Sequence, residues 1–137
     1  MRFTQIEIEA LIEELKTTDD ANRRNELALG LADMGYDEVV PVLIDLIKKL
    51  KYTDSYATLI YALGNLNCAK EICDILDIIF HGNWEASNNM LLLFKKKYPQ
   101  MDNEHKELCQ RIFADEEDRA KDTLDMIDDV NDTLFCV

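Results

Sequence analysis

The triplet Ala28-Leu29-Gly30 recurs as Ala62-Leu63-Gly64, 34 residues further on. Each copy leads through a short turn into a second apolar pattern. There Val40, Leu43, Ile44 and Ile47 reappear as Ile72, Ile75, Leu76 and Ile79 at an offset of 32. A period in the thirties that holds two helix-length patterns is the mark of an α-helical repeat, in which each pair of helices buries its apolar faces against the next pair. The residue types agree. Leu27, Leu31 and Met34 form one stripe beside a strip of Ala28 and Ala32, and Gly35 ends that helix because glycine enters the left-handed conformation without penalty. Gly30 costs about 1 kcal/mol relative to Ala inside a helix, and a neighbour packed closely against it is expected to account for its presence.

Taken in order, residues 3–16 predict a first helix capped by Thr4, with Ile8, Leu11, Ile12 and Leu15 on one face. A polar break ending at Asp20 precedes the second helix, which runs to Met34. Asp37 is expected to cap the third helix, to about Lys51, with Pro41 in its first turn and Val40, Leu43, Ile44, Ile47 and Leu50 buried. Asp54 takes the capping place in the copy, and Asn65 to Cys68 its turn. A weaker third unit follows: Asn83 as cap, a helix to Tyr98 with Trp84, Leu91, Phe94 and Tyr98 as core, a stop at Pro99, and a second helix over 103–113 burying Leu108, Ile112 and Phe113. From Ala114 a separate last helix is expected to close the stack with Ala120, Leu124, Ile127, Val130 and Leu134, and with Phe135 and Val137 docking the end. The expectation is one all-α domain over 1–137, a short right-handed α-solenoid of about seven or eight helices. Its parts are 1–18 (N-terminal helix), 19–51 and 53–82 (repeats), 83–114 (degenerate repeat) and 115–137 (acidic cap).

Charge narrows the partners. Against 28 acids stand 15 Lys and Arg, a formal net charge of -13, which repels phosphate backbones and argues against direct nucleic-acid binding. No apolar run exceeds about five residues, so neither a membrane span nor a signal peptide is expected, and the location is read as cytoplasmic. The four cysteines, Cys68, Cys73, Cys109 and Cys136, fit neither a zinc pattern nor a disulfide framework and are expected to be reduced, buried packing residues. No cofactor, metal or catalytic residue is assigned. His81 falls at a helix end and His105 in a first turn, neither at a useful spacing from a nucleophile. Lys95, Lys96 and Lys97 suit a helix C-terminus, and Trp84 is read as core, with an interface anchor as the other option.

Residues 115–132 hold nine acids and two bases, a net of -7. Asp118, Asp122, Asp125, Asp129 and Asp132 are spaced 4, 3, 4 and 3, which on a helix places them within about 40° of a common line, opposite Leu124 and Ile127. Like charges one turn apart oppose helix formation by a few tenths of a kcal/mol each. A cationic partner offsets that cost. These five residues, with Glu116 and Glu117, are the predicted partner-binding residues.

The triplet, the Asp or Asn near each turn and the Val-Val-Pro-x-Leu-Ile-x-Leu-Ile opening of the third helix resemble HEAT repeats, well over about residues 20–80 and by spacing beyond. HEAT-like DNA glycosylases present a basic groove, which an acidic chain lacks. In size and charge the chain is more similar to the small acidic HEAT-like immunity proteins of bacterial polymorphic and contact-dependent growth inhibition toxin systems. That resemblance implies a non-enzymatic protein, monomeric alone, that binds a basic toxin domain (such as a nuclease) one to one and blocks its cationic cleft. The alternative is a HEAT-like scaffold or adaptor subunit. A chromophore-handling lyase of the HEAT-like kind ranks third and requires a reactive cysteine.

Overall fold

The hydroxyl of Thr4 accepts the backbone N–H of Glu7 at 3.2 Å and starts helix α1, Gln5–Thr17, where the sequence places it. Asp20 starts α2, Ala21–Asp33, by accepting the N–H groups of Asn22 and Arg23 at 2.9 and 3.3 Å. These side chains satisfy donors that the first turn of any helix leaves free. The computed structural model describes residues 3–50 and 56–135, so the expected cap Asp54, Lys51 and Tyr52 lie outside the described residues, as do Cys136 and Val137. Further on come α3 (Val40–Lys49), α4 (Tyr56–Leu63), α5 (Ile72–His81), α6 (Trp84–Lys97) and α7 (Asn103–Phe135). Single 3-10 turns precede α3 and α5 and follow α6, and no strand occurs among the described residues. The protein is all-α.

Two compact units divide the chain, Met1–Met101 and Asp102–Val137. In the first, α2 packs on α4 and α4 on α6, while α3 packs on α5 and α1 reaches both α2 and α3. Equivalent helices of successive pairs therefore stack on each other, the first helices in one row and the second helices in another. The repeated apolar positions fill the space between the rows: Ala28, Leu31, Val40, Leu43 and Ile44 from one pair, Ala62, Leu63, Ile72, Ile75 and Leu76 from the next are all buried. Burying side chains of this size contributes about 1.5–3 kcal/mol each.

Links between the pairs fix their register. The carboxylate of Asp37 accepts the backbone N–H of Asn67 at 3.0 Å, joining the turn of one pair to the turn of the next. It does not cap α3; Asp37 opens a 3-10 turn, and α3 begins after Val39 with no side-chain cap and Pro41 in its first turn. Lys48 of α3 meets Asp74 of α5 at 2.7 Å. Lys97 donates to the Leu66 carbonyl at 2.7 Å and Lys96 to that of Gly64 at 3.5 Å, satisfying oxygens beyond the C-terminus of α4. At the other end, Arg23 holds Glu14 at 2.5 and 2.9 Å and clasps α2 to α1. Its neighbour Arg24 turns inward, is buried, and leaves its Nε without an acceptor among the described residues.

Several expectations are corrected. Gly35 is the left-handed cap, with φ 77°, but Met34 belongs to the cap and is 44% exposed instead of completing the core stripe. Among the described residues no atom outside its own helix backbone lies within 4 Å of a Cβ built on Gly30, so close packing does not account for that glycine. Trp84 is 82% exposed. The buried stripe of α6 is Ala86, Met90 and Leu93, and Trp84 stands 200° around the helix from Ala86. With Leu91, Leu92 and Leu93 in succession, several helical phases look equally apolar, and packing on α4 and α5 selects one. Cys68 and Cys109 are buried as expected, whereas Cys73 is exposed. Phe113, expected in the core, is exposed.

The largest departure concerns the last 35 residues. No break follows Phe113. Asp102 caps α7 by accepting the N–H of His105 at 2.8 Å, and the helix continues for 33 residues to Phe135. The expected boundary between a degenerate third repeat and a terminal cap falls inside this helix.

Candidate protein-binding stripe

Helix α7 carries the acidic candidates and makes them a single object. At 100° and about 1.5 Å per residue, Asp118, Asp122, Asp125, Asp129 and Asp132 run along one line for roughly 21 Å. All five are exposed. Their continuity depends on the helix persisting through Asp128, Asp129, Asn131 and Asp132, residue types of low helix propensity. Side-chain hydrogen bonds that helices offer to threonine occur beside them, Thr123 to the Arg119 carbonyl at 3.1 Å and Thr133 to that of Asp129 at 2.9 Å.

The helix does not gather every predicted residue. Glu116 stands about 160° from Asp118, on the far side, and is engaged by Arg119 at 2.6 Å. Glu117 is exposed a quarter turn from the line. Lys121 and Asp128 border it instead, about 60° and 80° from Asp118. Lys121 is one turn from both Asp118 and Asp125 and reduces the local charge, a feature visible in the spacing once one helix is assumed throughout. The opposite face holds Leu124, 62% exposed, and Val130, also exposed.

Elsewhere, the titratable groups with distinctive surroundings serve structure. The Asp102 carboxylate, which also meets His105 Nδ1 at 2.7 Å, is held below the usual range first by the His105 backbone N–H and then by its ring. Glu14 is likewise lowered, first by its hydrogen bond from Arg23. The Cys68 thiol donates to the Leu63 carbonyl at 3.4 Å, and burial pushes its pKa up to about 11, which suppresses the nucleophilic thiolate. Among the described residues no three His, Cys, Asp or Glu side chains are grouped to hold a metal ion. No described helix is long and apolar enough to cross a membrane.

No family model, characterised protein or solved structure matches the chain.

Proposed function

We propose that this chain is a non-enzymatic, HEAT-like protein-binding module of the immunity type, which neutralises a basic toxin domain in the cytoplasm by covering its cationic cleft. The alignment of five exposed aspartates along one helix carries the reading. An array of like charges about 5 Å apart opposes its own helix and is relieved by a cationic surface. A cleft that binds phosphates is a surface of that kind and of comparable length. The stacking of equivalent helices in two rows supports the HEAT-like solenoid part of the reading.

The mechanism is occlusion. The acidic line steers encounter from beyond contact distance, within a Debye length of about 8–10 Å at ordinary salt. Once docked, it occupies the cationic groups that the toxin needs for its substrate. Binding is one to one, and no residue of this chain performs chemistry.

The decisive measurement titrates a basic toxin domain calorimetrically, with candidates drawn from reading frames neighbouring the gene, against the wild type and Asp122→Lys/Asp125→Lys/Asp129→Lys. The expected loss is at least about a hundredfold in affinity, with strong weakening by salt in the wild type. Equal affinity for the two proteins defeats the stripe as interface. Salt-insensitive binding favours an adaptor that uses an apolar surface.

A further inference from the structure

The first unit carries a second exposed surface, of opposite character. Along α6, Trp84, Asn88, Leu92 and Lys96 follow one another at four-residue steps, which makes them one ridge of the helix, roughly 18 Å long. All four are exposed, Trp84 by 82% and Leu92 by 65%. Helix α4 packs on α6, and its Tyr61 is 70% exposed. Tyr61 is one turn from Gly64, and Gly64 is the point where Lys96 Nζ and Leu93 of α6 approach α4. The core does not require these side chains, since Ala86, Met90 and Leu93 form the buried stripe of α6. An exposed row of Trp, Tyr and Leu has the composition of a recognition surface.

Charge decides what fits it. Helix α4 has no ionisable acid or base except tyrosines, and α6 has Glu85 against Lys95, Lys96 and Lys97. The two helices together are therefore positive, in a chain of net charge -13. Lys96 and Lys97 are held by main-chain carbonyls, and among the described residues none of the three lysines pairs with a carboxylate. An incoming carboxylate finds cations without displacing an ion pair. From this we infer that the α4–α6 face is a second docking surface, whose occupant is an acidic segment of another protein carrying apolar anchor residues. A narrow segment fits better than a broad anionic surface. Its few charges reach the lysines within a Debye length of about 8–10 Å, whereas the extended charge of a lipid bilayer or a nucleic acid is repelled by a chain of net charge -13. The inference rests on α4 and α6 alone and does not depend on the immunity reading.

Trp84 is the only tryptophan in the chain, so its emission reports on this face directly. A synthetic amphipathic helix of Glu and Leu, titrated into the intact protein, is expected to shift Trp84 emission to the blue and to saturate. The same helix with Lys in place of Glu is expected to leave it unchanged. Anisotropy of the labelled Glu/Leu helix is expected to show at least about tenfold weaker binding to Lys95→Glu/Lys96→Glu, and weaker binding to Lys95→Glu alone, which leaves the Lys96 contact to Gly64 intact. Circular dichroism confirms that both variants are folded. The inference is overturned if the acidic helix does not bind, if the basic helix binds equally, or if the lysine variants bind unchanged. It is also overturned if phosphatidylserine vesicles or a single-stranded oligonucleotide shift Trp84 and the acidic helix does not. Concentration-dependent self-association lost in Trp84→Ser would assign the face to a second copy of the chain instead.

Discussion

Gly30→Ala is expected to stabilise the protein. Gly30 lies in the interior of α2, three residues before its end, and a Cβ built there meets no described atom outside its own helix backbone within 4 Å. The new methyl group therefore costs no steric strain, while the substitution removes backbone freedom from the unfolded chain. Glycine inside a helix is about 0.5–1 kcal/mol worse than alanine, so the variant gains roughly that amount. For a chain of this size the gain raises the melting temperature by about 2–5 °C. It also moves the urea midpoint up by roughly 0.3–0.6 M. Gly64→Ala is the control, because the repeat makes the two glycines equivalent in sequence. Its Cβ falls 3.0 Å from the Tyr61 carbonyl oxygen and 3.4 Å from Lys96 Nζ. The backbone oxygen has little freedom to give way, so this variant is expected to gain nothing or to lose stability. Urea titrations followed by circular dichroism measure both. A destabilised Gly30→Ala, or equal shifts in the two variants, refutes the claim that the two triplets sit in different surroundings.

Asp20→Ala removes the acceptor for two N–H groups at the start of α2 and is expected to cost about 1 kcal/mol in the same urea titration. Arg24→Met retains the buried stem and removes a charged group whose Nη2 donates only a long 3.4 Å bond to the Thr18 carbonyl and whose Nε has no acceptor among the described residues; unchanged or increased stability, by up to roughly 1–3 kcal/mol, is expected, and a loss would show that Arg24 is better satisfied than its geometry indicates. In a native thiol titration of a Cys136→Ser background, Cys73 is expected to react before Cys68 and Cys109, and Cys73→Ser to remove the fast phase, with Cys68 reacting only on unfolding. The folded Cys68 pKa is raised from 9.0 to about 11, so the stability this thiol contributes is complete below pH 9.0 and is lost as pH rises towards about 11; Cys68→Ala is expected to flatten stability across that window.

Most of the helices were legible in the residues because caps and periodicity are local. Thr4, Asp20 and Asn83 cap where their side chains predict, since an N-cap needs only its own first turn. Gly35 adopts the left-handed conformation that its place between two apolar patterns requires. The inward positions Val40, Leu43 and Ile44 of α3 repeat in α5 as Ile72, Ile75 and Leu76, but Ile47 is answered by buried Ile78 and not by the half-buried Ile79 that the offset predicts. Phase was illegible where apolar residues crowd together: in α6 the choice between Trp84 and Ala86 as inward positions belongs to the helices packed against them. The candidate stripe is legible as a spacing of aspartates, because 100° per residue fixes which of them share a line wherever the helix begins. Glu116, two residues before Asp118, is close to the stripe in sequence but stands about 160° from Asp118 around the helix, on the far side.

The opening repeat of Ala-Leu-Gly was enough by itself to determine an all-helical chain with paired helices, because apolar spacing and capping act through the backbone of a few neighbouring residues. Tertiary structure decided what the repeat made look identical. Gly30 faces open space while Gly64 sits beneath Lys96; Asp37 leaves its own helix to hold the next turn; and Trp84 stands outside the core. Each outcome depends on which atoms of a distant helix arrive within a few ångströms, and no local pattern records that.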